Sequence, residues 1–461
     1  MHQTETPSQC HFGAFIFPRC LTLPLVKVRK LQAALQAKAK ESPNYRFYAL
    51  YDKVYRADVL AIAYARCEAN QGAAGVDGQT FADIEAYGRE RWLGELAQDL
   101  KAKTYRPQAV RRVWLPKPDG KQRPLGIPAI RDRVVQMAAV LVLEPIFEPD
   151  LQPEQFAYRA ERSAQDAVRA VQSYLDRGYT DVVDADLSGY FDSIPHAELM
   201  KSVARRVSDR HLLHLVKMWL EAPVEETDEH RRKSRTTRNK DEHRGTPQGG
   251  VLSPLLANLY MRRFVAGWKQ LGHEQRLDAH IVNYADDFVI LTRGHANGAM
   301  AVMRDMMAKL KLTVNEAKTR TCSLPADTFT FLGFTFGRRI SWKTGRAYVA
   351  PAPATKKVQA ICHQISLATR RQTTFRTGAE QVHQLNQVLV GWATYFRLGS
   401  VTRAWQIVQQ HACRRLRWWL RRKHKERAGR GERYPDMQLY EQWGLVNLVR
   451  CVRRLPLWAC A

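Results

Sequence analysis

The sequence predicts an α+β protein whose chain ends in a separate all-α domain. Three observations carry that prediction. Strand-like runs such as DVVDADLSGYFDSI (181–194) and NYADDFVILT (283–292) are separated by stretches of helical periodicity. Pro118-Asp119-Gly120 divides two extended runs within VRRVWLPKPDGKQRPLGIP (110–128), a hairpin signal. From about Pro351 the strand signals vanish, and residues 356–428 read as helical, basic and rich in tryptophan.

Taken in order, residues 1–27 read as an irregular extension. Its apolar stretch GAFIFPRCLTLPL is broken by Pro18 and Arg19 and lacks a cleavage signal. Residues 28–109 are helical apart from NQGAAGVDGQTF, a Gly-rich connector without the GK[ST] ending of a phosphate loop. Residues 110–345 hold the hairpin, an apolar helix over 134–147, a second helix near 163–176 and the two acidic strands. The polar stretch 226–245 reads as a solvated loop or hairpin, and TPQGGVLSPLLANLYMRRFV (246–265) as a Gly-rich turn entering a helix. Strands follow around FTFLGFTFGRRISW. The helical domain spans 351–430, and 431–461 is a short C-terminal segment.

Composition narrows the partners. The 461 residues carry 72 Lys plus Arg against 45 Asp plus Glu, a formal charge of +27. That surplus points to a polyanion, because neutralised phosphates release condensed counterions. With 45% apolar and 10% aromatic residues the chain supports a sizeable core rather than disorder. The most apolar run, 134–147, is too short to span a bilayer, so no membrane partner is expected. Eight cysteines are scattered without zinc spacing and read as reduced thiols of a cytoplasmic protein.

The chemistry concentrates in the acidic strands. Asp184 and Asp186 stand at i and i+2, on one face of a strand. Asp286 and Asp287 would point to opposite faces of a strict strand, so both can approach one centre only at a hairpin turn. Carboxylates gathered in this way call for a hard divalent cation, which takes one or two of them together with substrate phosphates.

Read together, NQGAAGVDGQTF, LPKPDGKQRPLGIP, DADLSGYFDSI, GTPQGGVLSPLLANLY, NYADDFVILT, VNEAKTR and FLGF resemble, in family order, the reverse transcriptases encoded by bacterial group II introns, the intron maturases. LNQVLVGWATYF (385–396) resembles the family's maturase, or thumb, domain. The resemblance covers roughly residues 28–450. It implies a right-hand polymerase with fingers and palm, followed by the helical thumb.

It further implies that Asp186, Asp286 and Asp287 bind two Mg²⁺ ions, with Mn²⁺ as a substitute. Asp186 and Asp286 are the stronger candidates, and Leu187 would add its backbone carbonyl. Lys117 and Arg123 match positions holding the incoming triphosphate. Phe191 matches the aromatic gate that excludes a ribose 2′-OH, Gln248 the contact to the nascent base pair, and Lys318 the donor of a proton to pyrophosphate. Phe331, Leu332, Gly333 and Phe334 match the primer grip.

The basic helix near the C-terminus places Arg414, Arg417 and Arg421 at i, i+3 and i+7 on one face, with Arg422 beside them. The resemblance sets intron RNA or the template–primer duplex there. The implied partners are group II intron RNA, an RNA template with a DNA primer, dNTPs and target DNA, met in the cytoplasm at the nucleoid. Two alternatives remain open at this level: a mainly RNA-binding splicing maturase, and a host-adopted reverse transcriptase in defence or repair.

Two departures from the family pattern stand out. The sequence ends at Ala461, and Cys451 and Cys460 alone cannot form the family's HNH nuclease zinc site, so a primer made elsewhere is expected. FAYRAERSAQDA (156–167) carries Ala160-Glu161 where the family usually has glycine nearby, which puts that turn in question.

Overall fold

A computed structural model describes residues 22–116, 122–227, 232–341, 344–426 and 434–451. The Pro118-Asp119-Gly120 turn, Lys117 and Cys460 lie outside these residues. Residues 22–27, expected to be irregular, instead begin the helix Thr22–Glu41.

The region expected to form the fingers is built on a mixed sheet. Strands β1 (Val110–Pro116) and β2 (Gln122–Ile127) pair antiparallel from Arg111↔Ile127 to Pro116↔Gln122, as expected of two strands flanking a hairpin turn. The centre of the molecule is an antiparallel sheet containing β3 (Asp181–Asp186). The stretch 226–245, expected to be a solvated loop or hairpin, includes a hairpin of β4 (Val224–Thr227) and β5 (Lys233–Thr236); β4 runs parallel to β1 and extends the fingers sheet.

β6 (Ala279–Tyr284), β7 (Asp287–Thr292) and β8 (Arg320–Ser323) join β3 in the order β6-β7-β3-β8. A third sheet contains β9 (Phe329–Phe331), β10 (Phe334–Ile340) and β11 (Ala347–Pro353). β11 runs past Pro351, where strand signals were expected to have ended, because its Val349, Ala350 and Pro353 pair with β10 rather than showing a period of their own.

Period-two alternation divides the central sheet between two cores. Val183, Ala185, Phe288 and Ile290 face a large core that includes the helices Ala57–Ala69, Ile130–Phe147 and Ser253–Gln270. Val182, Val282, Val289 and Leu291 face the helix Ala164–Asp176 and the aromatic side of β9 and β10. Asp184 and Asp186 continue the second face, where the packed layer ends and a cleft opens.

A third core joins the helices Thr355–Ala368, Gly378–Tyr395 and Thr402–Lys423 around Leu385, Leu389, Leu416 and Trp419. Cys67, Cys322 and Cys413 are buried free thiols and Cys362 is half-buried. Among the described residues no helix is long and apolar enough to cross a membrane.

Candidate active site

Tyr284 of β6 pairs with Asp287 of β7, so Ala285 and Asp286 form a two-residue turn. Such turns require a positive φ at the first central position. Ala285 takes φ +58°, and the buried Asn283 fixes it by donating from Nδ2 to the Ala285 carbonyl at 2.9 Å. The pairing Asp186↔Asp287 then sets these two carboxylates side by side on one face, with Asp184 two residues back. Asp184, Asp186, Asp287, Lys318, Thr330 and Leu332 are among the residues lining a cleft of about 230 Å³. Asp286 sits at the turn itself, within electrostatic reach of Asp186 and Asp287.

Burial first, and the crowding of like charges second, show in the titration of the group. Protein atoms packed round the Asp287 carboxyl push it up to about 7; Asp286, Asp186 and Asp184 add to the rise and Lys318 opposes it. Asp184 is raised to about 6 by burial, with Arg320 opposing and Asp186 adding. Burial also raises Asp286; its own backbone N–H opposes this, and Asp186 adds to it.

Asp186 is cradled by the VNEAKTR segment. Its Oδ2 accepts from Asn315 Nδ2 at 2.9 Å and from Lys318 Nζ at 3.0 Å. The Asn315 N–H donates to the Asp186 carbonyl at 2.8 Å, and the Asp186 N–H reaches Thr319 Oγ1 at 3.4 Å. A bridge between Leu187 and Val314 is flanked by bonds from Ser188 N–H to Thr313 and from Asn315 N–H to Asp186. In that antiparallel pattern the Leu187 carbonyl points away from the 313–315 segment, free of its ladder. Asn315 and Thr319 were not anticipated. A tight turn, closed by Lys318 N–H to Asn315 O at 3.0 Å, presents an amide and an ammonium to one carboxylate.

The fingers reach the palm through a side-chain relay. Arg123 Nε donates to Gln248 Oε1 at 3.2 Å, and Gln248 Nε2 donates to Asp192 Oδ2 at 3.0 Å. The Gly126 N–H donates to the Gln248 carbonyl at 2.5 Å. Gly249 has φ +104°, and a Cβ there would lie 2.2 Å from the Gly126 oxygen, so this contact excludes a side chain. Phe191 is 8% exposed, edge-on to Tyr190 in the large core.

Leu332 and Gly333 form the β9–β10 turn, with φ +51° and +81°. Phe331 and Phe334 point into the core, and Phe334 stacks on Tyr395, whose hydroxyl donates to the Leu332 carbonyl at 3.0 Å. Only the turn residues of FLGF line the larger cleft, of about 950 Å³, that runs from Asp287 to Lys356, Lys357 and Trp392.

Residues 115–336 match the family described as reverse transcriptase (RNA-dependent DNA polymerase), and residues 358–435 match the group II intron maturase-specific domain. Protein YkfC of Escherichia coli K12 is 32% identical over 366 residues, covering 71% of this chain and 93% of YkfC. The chain belongs to the group II intron reverse transcriptases. Group II intron-encoded protein LtrA of Lactococcus lactis subsp. cremoris is 31% identical over 228 residues, 49% of this chain; the match spans 36% of LtrA's length. An uncharacterized 91 kDa protein in the cob intron of Schizosaccharomyces pombe is 28% identical over 237 residues, covering 49% of this chain and 27% of that protein. Telomerase from Candida albicans, solved with a TWJ fragment of telomeric RNA, aligns with TM-score 0.40 and 12% identity over 80% of this chain and 68% of that chain, too slight a likeness to bear on the site.

In this reverse transcriptase the maturase-specific domain carries the basic helix. Arg414 and Arg422 are exposed and Arg421 half-buried. Arg417 departs from the expected basic face: its Nε donates to the Tyr434 carbonyl and its Nη2 to Asp436, at 2.9 and 2.7 Å. Trp419 is buried, whereas Trp418 is half-buried, with the guanidiniums of Arg422 and Arg415 over its ring at 3.8 and 4.5 Å.

The reverse transcriptase family uses divalent metal ions. Among the described residues no group of three His, Cys, Asp or Glu side chains is arranged to hold a metal ion by itself. Mg²⁺ does not need one, since it combines one or two carboxylates with phosphates and water. Asp186 and Asp287 stand side by side with Asp286 and Asp184 within electrostatic reach, and an ammonium already lies on Asp186, so the oxygen donors present fit a hard cation.

Proposed function

We propose that this reverse transcriptase extends a DNA primer on an RNA template from dNTPs at the Asp186, Asp286 and Asp287 centre. We further propose that its helical domain holds intron RNA during splicing and mobility. The observation that carries the reading is the Asp186↔Asp287 cross-strand pair beside the Asp286 turn, facing the Arg123–Gln248 relay from the fingers. Mg²⁺ bound there, or Mn²⁺ in its place, would lower the charge of the reacting phosphate and of the primer 3′-oxygen.

The remaining roles extend the family resemblance, Lys117 lying outside the described residues. Arg123, with Lys117, holds the triphosphate through a guanidinium fork and an ammonium, and Gln248 abuts the base pair under formation. The rigidly packed Phe191 ring gates the 2′ position, and Leu187 offers its carbonyl to the metal. Lys318, 3.0 Å from Asp186, gives a proton to pyrophosphate in this reading. The Leu332–Gly333 turn, backed by Phe331 and Phe334, bears on the primer strand, and Arg414, Arg421 and Arg422 on RNA phosphates. Target DNA and a cytoplasmic, nucleoid-associated location belong to the same proposal.

Primer extension on an RNA template tests the reading. Asp286→Ala should abolish dNTP incorporation while RNA affinity stays within a few-fold. Retained incorporation would remove Asp286 from the active site.

A further inference from the structure

A second basic surface lies on the other side of the palm. The helices His196–Ala204 and Ser253–Gln270 belong to the large core, on the sheet face opposite the aspartates. Between them opens a groove of about 340 Å³, lined by Lys201, Arg205, Arg262 and Arg263, with Ser202 and Gln270 at its edge. It shares no lining residue with either cleft at the active site.

The groove carries more positive charge than its acids balance. Lys201 and Arg263 both pair with Glu198, each at 2.9 Å. Arg205 pairs with Asp150 at 2.5 Å, and that carboxylate is shared with the fully buried Arg206 at 3.4 Å. Arg262 donates to the Asp150 backbone carbonyl at 2.6 Å, a neutral acceptor, and shares the electrostatic reach of the Asp150 carboxylate with Arg205 and Arg206. Four cations therefore line a groove whose ion-pair partners are two carboxylates. Burial holds the Arg262 guanidinium below its usual range; Arg205 depresses it further, Asp150 opposes and Arg206 adds to the depression. Crowded guanidiniums with unused donor edges are the chemistry that takes a phosphodiester.

We propose that this groove binds the sugar-phosphate backbone of structured RNA, at a site separate from the template–primer cleft. The proposal rests on the chain being an RNA-binding reverse transcriptase. The occupant is a different stretch of RNA from the template at the active site, because the palm sheet lies between the two surfaces.

The test is the salt dependence of binding by the full chain to a transcribed group II intron RNA, with a short primer–template duplex as control. Lys201 and Arg263 sit at the groove rim, their side chains 72% and 35% exposed, so Lys201→Gln with Arg263→Gln should leave the fold intact. Removing two phosphate contacts should lower the slope of log K against log[salt] by about 1.5 to 2 and weaken binding roughly tenfold or more near 0.15 M salt. Extension of the short primer–template should stay within twofold. Gln270→Glu, a second variant at an exposed rim position, adds an opposing charge without removing an ion pair and should weaken intron RNA binding in the same direction.

Intron RNA slopes and affinities unchanged in both variants would overturn the proposal. So would a loss of primer extension equal to the loss of RNA binding. Failure of the unmodified chain to extend any primer would instead strike the polymerase reading, and the salt slopes would still test the groove.

Discussion

Asn315 offers the sharpest test of how Asp186 is held. Its amide makes a 2.9 Å bond to a half-buried carboxylate, while its backbone N–H holds the Asp186 carbonyl at 2.8 Å. Asn315→Ala removes the first bond and keeps the second. A hydrogen bond to a charged group is worth about 1.5–3 kcal/mol. The remaining Lys318 contact cannot replace it, because that side chain is 65% exposed and such pairs contribute about 0–1 kcal/mol. A loss of about 2 kcal/mol in carboxylate placement is roughly thirtyfold in rate.

Single-turnover extension should therefore slow by about 10- to 100-fold, with primer–template affinity nearly unchanged and the demand for divalent metal raised. Thr319→Val removes only the 3.4 Å contact to the Asp186 N–H and should change the rate by less than threefold. The positioning role is refuted if Asn315→Ala stays within threefold of the unmodified enzyme, or if Thr319→Val is the more damaging change.

Three further outcomes follow from the geometry. Gly249→Ala, with φ +104° and a backbone oxygen 2.2 Å from the new Cβ, should cost at least about 2 kcal/mol in urea unfolding and weaken dNTP binding by separating fingers from palm. Asp132, bonded by Tyr105 and the Gln108 N–H, is raised by burial to about 6. Its folded pKa lies above the unfolded value near 3.9, so its contribution to stability is full below pH 4 and is lost as pH rises through 6, by roughly 3 kcal/mol. Asp132→Asn should flatten the stability curve over that window, and parallel curves would contradict the assignment. Glu161 takes φ +60° in the turn where family members usually carry glycine nearby, so Glu161→Gly should raise stability by up to about 1 kcal/mol in thermal unfolding.

The fold was legible in the sequence where local patterns were strong. The antiparallel pairing of β1 with β2, the alternation of β3 and the helices of the third core all follow from period and turn signals. Convergence of the acidic strands was legible, but the residue-by-residue partnership across the sheet was not. Asp287 lies directly opposite Asp186, and the parallel joining of β4 to β1 depends on tertiary packing that no local period records. The same limit hid Asn315, whose role depends on a turn closing under a strand 129 residues away. Arg417 shows the reverse: helical spacing placed it on a phosphate-facing stripe, whereas Asp436 and the Tyr434 carbonyl occupy it.

The turn between β6 and β7 explains how crowded carboxylates are kept in place without a permanent counter-ion at each. Glycine would adopt a φ of +58° freely, yet alanine holds it here, and a side chain in that region costs about 1 kcal/mol. The Asn283 amide bond to the Ala285 carbonyl, worth about 1 kcal/mol as a buried hydrogen bond, offsets that strain. Strain and bond together leave the turn with fewer accessible conformations than a glycine turn would have. The backbone thereby sets the position of Asp286 relative to Asp287, while Asn315 and Lys318 do the same for Asp186 from the other side. The Asp287 carboxyl, raised to about 7 first by desolvation and further by Asp286, Asp186 and Asp184, is thus held in a fixed geometry before any phosphate or cation arrives, which is what electrostatic preorganisation of phosphoryl transfer requires.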